Sequence, residues 1–413
     1  MKKFGLLGRR LSHSLSPQIH AYFGDYPYEL IEREPDALAG LFADGLYQGF
    51  NVTIPYKTAI IPYCDELDAL SARMGSVNTV YFKNGKTVGY NTDYFGFRYL
   101  LEQNGISVSG CKVLVLGSGG ASLTVRAVLG DLQVGEIVVI SRSGKDNYEN
   151  ISQHYDADMI VNTTPVGMYP NNLQSPIELQ EFKNCRTVVD LIYNPLRTKL
   201  LLDAERLGMR SVNGLTMLVA QAKRAAELFT GTDISNNEIK KTVAAMQQEF
   251  CSLVLVGMPG CGKSTVGKRL AEYSGKIFMD TDDMVVSATG TDIPTLFATQ
   301  GEAVFRKLET DAVLQATKQL GAVIATGGGV VLKEINCLAL RQNAKVVFLS
   351  RPVDELATAG RPLSKDRKAV CELLAQRLPL YRAVSDFEVA VDKNPEVTCK
   401  RILEAIKNED FSD

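Results

Sequence analysis

Short apolar runs alternate along the whole chain with longer stretches of helical periodicity, the pattern of an α/β protein. Through residues 1–95, KFGLLG, YELIE and GFNVTIP read as strands, with helical patterns near Pro17, Pro35 and Tyr56. SVNTVYFKNGKTVGYNTD reads as a hairpin turning at Asn84-Gly85, a pair suited to the positive φ of a tight turn. A helix from Asp93 leads to the buried run CKVLVL, and EIVVI, DMIVN and RTVVD continue the strand–helix alternation. A helix is expected at 197–207, and another in GLTMLVAQAKRAAELF. Residues 233–249 place Ile239, Val243 and Met246 on one stripe of an amphipathic helix. The second half repeats the scheme: strands in Cys251 to Val256, KIFMD, AVIAT and KVVFLS, and helices in IPTLFATQGEAVFRKLE and around Arg377. No Gly/Ser- or Pro-rich linker separates the halves, so they are expected at short range.

Length and composition narrow the class. A chain of 413 residues holds two to four domains, and 45% hydrophobic with 22% charged residues is ordinary for a soluble globular protein. A net charge of −2 gives no electrostatic case for nucleic acid or an acidic membrane as partner. No run reaches membrane-spanning length, and MKKFGLLGRR is too short in apolar residues for a signal peptide. The eight cysteines form no C-x-x-C pair, and with only three histidines they offer no zinc spacing. A reducing cytosol is the expected location.

Two glycine-rich turns carry the candidate chemistry. Cys251 to Val256 runs into Gly257-Met-Pro-Gly260-Cys-Gly262-Lys263-Ser264-Thr265 and an apolar-periodic helix, a phosphate-binding P-loop in its proper context. Its glycines let backbone N–H groups surround a phosphate, Lys263 adds a mobile charge, and Ser264 offers a hydroxyl to magnesium. Cys261, inside this loop, reads as a small filler. Earlier, CKVLVL meets Gly117-Ser-Gly119-Gly120-Ala121, the turn of a dinucleotide-binding unit with altered glycine spacing. The next strand ends in Ser141-Arg142-Ser143, where an arginine suits the 2′-phosphate of NADP and an acid would have suited NAD.

Eight ordered motifs across residues 4–230 resemble shikimate dehydrogenase: Ser12-His13-Ser14-Leu15-Ser16-Pro17, NVTIPYK at 51–57, SVNT at 76–79, NTD at 91–93, the Gly117 loop, NTTPVGM at 162–168, DLIYNP at 190–195, and NGLTM at 213–217 through Gln221. The resemblance implies NADPH-dependent reduction of 3-dehydroshikimate. It implies that Ser14 and Ser16 hold the carboxylate, and that Thr53, Asn78, Asp93 and Gln221 bond the hydroxyls. Lys57 and Asp93 would form the catalytic pair, since hydride addition to a ketone leaves an alkoxide that needs a positioned proton donor. Gly117, Gly119, Gly120, Ala121, Ser141, Arg142, Ser143, Thr163, Gly214 and Met217 would line the coenzyme, and Tyr193 would either touch substrate or coenzyme or pack in the core. His13 reads as a structural residue. A tryptophan common near Phe229 is absent, a matter of packing.

Residues 252–408 resemble shikimate kinase, which implies ATP, magnesium and transfer to the 3-hydroxyl of shikimate. Gly257, Gly260, Gly262, Lys263, Ser264 and Thr265 would hold ATP, with Lys263 also catalytic. Ser264 and Asp280 would serve magnesium. Asp282 would receive the attacking hydroxyl, and Arg306, Gly328, Gly329 and Arg377 would seat the substrate. Arg361 would neutralise the transferring phosphoryl, and Lys393-Asn394-Pro395 would edge the adenine.

The expected architecture is α/β throughout. Residues 1–95, completed by helices of 216–249, form a substrate domain; 96–215 a Rossmann-like NADP domain; and 250–413 a P-loop domain of the nucleoside-monophosphate-kinase type. The expected function is a bifunctional cytoplasmic enzyme acting on small molecules. The rivals are a quinate/shikimate dehydrogenase using NAD, and a chain whose kinase-like half is inactive or regulatory.

Overall fold

The strand-like runs pair into three sheets. The computed structural model describes residues 3–11, 14–356 and 367–409, and the chain divides into two compact units, Met1–Ala245 and Met246–Asp413. The first sheet is six-stranded, in the order Tyr28–Glu32, Phe4–Gly8, Gly49–Val52, Thr79–Lys83, Lys86–Tyr90, Glu66–Leu67. Its first three strands are parallel, and the hairpin joins antiparallel. The hairpin turns at Asn84 (φ 53°) and Gly85 (φ 78°) with Lys83 opposite Lys86. Leu7, Phe50, Val52 and Val80 form the core of this sheet under Leu38 and Leu41. The helical pattern near Tyr56 is not realised. That stretch forms turns and one 3-10 turn, Ile61–Tyr63, because Pro62 has no N–H to continue a helix.

The second sheet lies in the same unit and is wholly parallel, in the order Arg210–Val212, Thr187–Asp190, Met159–Asn162, Lys112–Leu116, Glu136–Ile140. Val113 to Leu116 are fully buried, as a strand covered on both faces requires. Strand Lys112–Leu116 sits where the strand order reverses, so the glycine turn after it opens where doubly wound sheets bind ligands. Helix Leu215–Thr230 returns to the first sheet, where Phe229 stacks on Phe4 at 4.5 Å and packs with Tyr81. This helix touches helix Thr92–Gln103 at Gly96, where a Cβ would stand 2.6 Å from the Met217 carbonyl oxygen.

Helix Asn236–Phe250 carries the chain across the division between units. The third sheet is also parallel, in the order Ile277–Asp280, Ala322–Ala325, Ser252–Val256, Ala344–Ser350, Phe387–Ala390. Its central strand runs directly into the P-loop. The expected single helix over IPTLFATQGEAVFRKLE breaks at Gly301 (φ 81°, ψ 168°) within Ile293–Ala316, a conformation open to glycine and strained for other residues. Among the described residues no helix is long and apolar enough to cross a membrane.

Candidate active sites

In the first unit the sequence-predicted groups converge between the two sheets. Asn91 caps helix Thr92–Gln103 by accepting from Tyr94 N, which sets Asp93 in the first turn, where the helix dipole favours a carboxylate. Asp93 Oδ2 lies 2.5 Å from Lys57 Nζ, with the side chains 9% and 17% exposed. Asn78 Oδ1 accepts from Thr92 N at 2.7 Å, and Asn78 Nδ2 donates to Thr92 Oγ1 at 3.0 Å and Gln221 Oε1 at 3.4 Å. Ser14 and Ser16 hydroxyls stand 3.2 Å apart, with Ser16 opening helix Ser16–Ala21. Thr53 ends the strand beside Gly8, its N–H on Leu7 O. Tyr193 is half-buried on the loop after Thr187–Asp190, and burial raises its hydroxyl pKa. His13 lies outside the described residues, as do Ser12 and Arg361.

The glycine turn comes against this group. Gly117 has φ 103° and Gly119 caps helix Gly120–Asp131 with open space around it. A Cβ on Gly120 would stand 3.5 Å from Lys57 Cβ and from Ser76 Oγ, so the turn lies directly on the lysine. Ala121 continues that helix. Thr163 donates to Leu116 O at 2.6 Å, closing the far side of the turn. Gly214 accepts no side chain, since a Cβ would sit 2.0 Å from Leu191 O, and Met217 is buried three residues on. Ser141, Arg142 and Ser143 form the turn after Glu136–Ile140; Arg142 is exposed and has no ion pair among the described residues. A helix N-terminus, an open glycine and a free guanidinium are a donor set that fits a phosphorylated dinucleotide.

In the second unit Gly257, Gly260 and Gly262 adopt φ of 151°, 83° and 102°. Lys263 opens helix Lys263–Ser274, its Nζ donating to the loop carbonyls of Gly257 at 2.9 Å and Met258 at 3.0 Å. Ser264 Oγ donates to Asp280 Oδ2 at 2.7 Å, and Thr265 is exposed beside it. Two hard oxygen donors at the mouth of a phosphate loop suit magnesium, which keeps waters and phosphate as its other ligands. Cys261 is fully buried, its sulfur packed under Gly257. Val391 lies 3.9 Å from where a Gly262 Cβ would be, and Asn394 caps the following helix.

Asp280 also caps helix Thr281–Thr289 by accepting from Asp282 N. Asp282 Oδ1 is buried without a hydrogen-bond partner among the described residues, and burial, then Asp280, pushes its carboxyl pKa up to about 6. Gly327 separates it from Glu309: a Cβ there would stand 2.7 Å from Asp282 Oδ1 and from Glu309 Oε1, which also has no hydrogen-bond partner among the described residues. Arg306 is held by Glu302 and by Glu309 at 2.9 Å each. A Cβ on Gly329 would fall 2.1 Å from Arg306 Nη1, and one on Gly328 2.6 Å from Pro259. The glycines thus make room for the protein's own neighbours, beyond the backbone approach expected of them. Arg377 Nη1 donates to Gly328 O at 3.0 Å, and the Tyr381 hydroxyl donates to the same oxygen.

Sequence reasoning assigned no role to Glu309, Tyr381 or Asn51. Glu309 was discoverable three residues after Arg306, a spacing that brings helical side chains together; Tyr381 and Asn51 carry no comparable signal.

The family model for the shikimate dehydrogenase substrate binding domain matches residues 6–80, and that for shikimate kinase matches residues 259–407. A shikimate dehydrogenase (NADP(+)) of Clostridium beijerinckii is 35% identical over 270 residues, 60% of this chain and 100% of the relative. Among solved structures, shikimate dehydrogenase 1 of Peptoclostridium difficile is 34% identical with TM-score 0.57, covering 60% of this chain and 98% of that one. The Thermus thermophilus shikimate 5-dehydrogenase in complex with NADP(H) and shikimate is 30% identical with TM-score 0.55, covering 59% and 99%.

Proposed function

We propose, for a chain that belongs to the shikimate dehydrogenase family and carries a shikimate kinase domain behind it, that it catalyses two consecutive steps. The first unit reduces 3-dehydroshikimate to shikimate with NADPH. The second phosphorylates the 3-hydroxyl of shikimate with ATP and magnesium. The observation that carries this reading is the Lys57–Asp93 pair at 2.5 Å, set against Gly120 of the glycine turn.

NADPH supplies the hydride to the ketone carbon. Lys57 Nζ, charged and oriented by Asp93, delivers the proton that the carbonyl oxygen needs as negative charge grows on it. Asn78, Thr53 and Gln221 hold the ring hydroxyls, and Ser14 and Ser16 the carboxylate. Arg142 favours the coenzyme with a 2′-phosphate. Tyr193 closes the pocket side.

In the second unit ATP supplies the phosphoryl group, and Ser264 and Asp280 would hold its magnesium. Asp282, already desolvated, accepts the hydrogen bond of the attacking hydroxyl and takes its proton. Lys263 leaves its loop carbonyls for the phosphates, and Arg361 joins them at transfer. Arg306 and Arg377 offer guanidinium forks to the carboxylate of the ring acid. The residues 391–395 next to the P-loop support an adenine edge there. The eight free cysteines suit a reducing compartment, the cytosol.

The test is direct: purified protein receives 3-dehydroshikimate, NADPH, ATP and magnesium, and mass spectrometry follows the ring acid. Shikimate 3-phosphate is the expected product, with NADPH strongly preferred to NADH. Accumulation of shikimate with ATP untouched would leave the second unit without this activity.

A further inference from the structure

Behind the candidate dehydrogenase site runs a chain of side chains to which the chemistry above gives no part. His20 is fully buried on helix Ser16–Ala21, one turn from Ser16. Its Nδ1 lies 2.7 Å from the Tyr26 hydroxyl, and its ring stacks on Tyr28 at 3.9 Å. Its Nε2 is buried with no hydrogen bond of standard geometry among the described residues, on the side of Asn51. The Tyr28 hydroxyl donates to Asn51 Oδ1 at 2.7 Å, Asn51 Nδ2 to Thr79 Oγ1 at 2.9 Å, and Thr79 Oγ1 to Asn78 Oδ1 at 3.1 Å.

The far end sets the direction of the bonds that lead back to Asn51; Thr79 Oγ1 also lies 3.2 Å from Thr92 Oγ1, where either hydroxyl can donate. Asn78 Oδ1 faces the backbone N–H of Thr92 at 2.7 Å, and an N–H only donates, so that atom must be the oxygen. Thr79 has one proton; with it on Asn78, its oxygen accepts from Asn51. Asn51 therefore turns its nitrogen to Thr79 and its oxygen to Tyr28 and His20. Among the described residues no backbone group holds this side-chain amide, so its neighbours alone decide which way it faces. A carbonyl oxygen has room for two donors. Tyr28 fills one place and Nε2–H suits the second, while the Tyr26 hydroxyl serves a bare Nδ1. Burial, pushing the imidazole pKa down to about 3, agrees with a ring that stays neutral.

We propose that His20 is a positioning residue for the dehydrogenase site: as the Nε2–H tautomer it holds the Asn51 amide in one orientation, and through it the Thr79 hydroxyl that donates to Asn78. This rests on the dehydrogenase reading, with Asn78 as a ligand of the substrate hydroxyls.

Two variants and one spectrum test it. His20→Phe keeps an aromatic ring against Tyr28 and loses both nitrogens, whereas His20→Gln keeps one donor and one acceptor. By NADPH oxidation, His20→Phe is expected to raise KM for 3-dehydroshikimate about tenfold, the scale of one lost buried hydrogen bond, with KM for NADPH little changed. His20→Gln is expected to recover most of that loss. The opposite order, Phe near wild type and Gln impaired, makes the ring mere packing and overturns the proposal. Nitrogen-15 spectra of the wild-type imidazoles at pH 7, assigned against the variants among three histidines, should show His20 as Nε2–H. An Nδ1–H tautomer or an imidazolium overturns the proposal without any turnover. A wild type inert toward 3-dehydroshikimate would instead sink the dehydrogenase reading, and the spectrum would still decide how His20 is held.

Discussion

A proton donor is only as useful as its surroundings make it, and Lys57 owes its position to a strand end, a helix N-terminus and a glycine turn at once. On the proposed mechanism, replacing it by alanine leaves Asp93 without its cation and the developing alkoxide without a proton, a loss of roughly 10²- to 10⁴-fold in dehydrogenase kcat. Steady-state NADPH oxidation measures it; a loss under tenfold would mean that another group donates. Asp282→Asn removes the proposed proton acceptor of the second unit and should cost the proposed kinase reaction roughly 10²-fold in kcat with KM for ATP nearly unchanged, read by a coupled ADP assay. Lys57, Asp93 and Asp282 stood out in the sequence because each sits in a motif whose chemistry names its residue, and the structure brings Lys57 and Asp93 to 2.5 Å. His20 did not, and Glu309 showed only as a partner in helical spacing with Arg306. The place of His20 lies in what it touches across the fold, and a buried imidazole has no signature in one dimension.

Elements were most legible where the pattern was longest. Ser252–Val256, Lys112–Leu116 and the Asn84-Gly85 hairpin follow from runs and turn chemistry. Strands such as Phe387–Ala390, short and half exposed, leave no run to read. Proline undid the helix expected near Tyr56, and Gly301 broke another whose apolar pattern continued through it. Close packing explains glycine where conformation does not. Gly329→Ala puts a Cβ on the Arg306 guanidinium, which its two carboxylates hold fast, and should raise kinase KM for shikimate about tenfold while leaving the dehydrogenase untouched. Asp190 ties its strand to the cap of helix Lys199–Arg206 through Thr198 at 2.7 Å and to Asn162 at 3.0 Å. Burial raises its pKa to about 7. The folded protein therefore holds this proton more tightly than the unfolded chain, so the contribution is full below about pH 4 and is lost as pH rises through about 7. Urea unfolding at pH 5.5 and 7.5 should show the wild type gaining on Asp190→Asn at the lower pH; equal differences at both would refute the burial argument.

At the scale of the whole molecule, the proposed function gives two units of different sheet order the same ring acid, with a carboxylate seat in each and a different reaction beside it. The three sheets were largely legible because parallel α/β order follows from alternating runs; the division inside helix Asn236–Phe250 was not, since that helix has one unbroken pattern across it. If the units work through separate sites, each reaction can be abolished alone. The most direct measurement gives wild type, Lys57→Ala and Lys263→Ala the same mixture of 3-dehydroshikimate, NADPH, ATP and magnesium, following NADPH and ADP together. Wild type should consume both; Lys57→Ala should consume neither until shikimate is added, and then ATP alone; Lys263→Ala should oxidise NADPH and stop at shikimate. Loss of both reactions from either substitution, in protein that remains folded, would contradict the account.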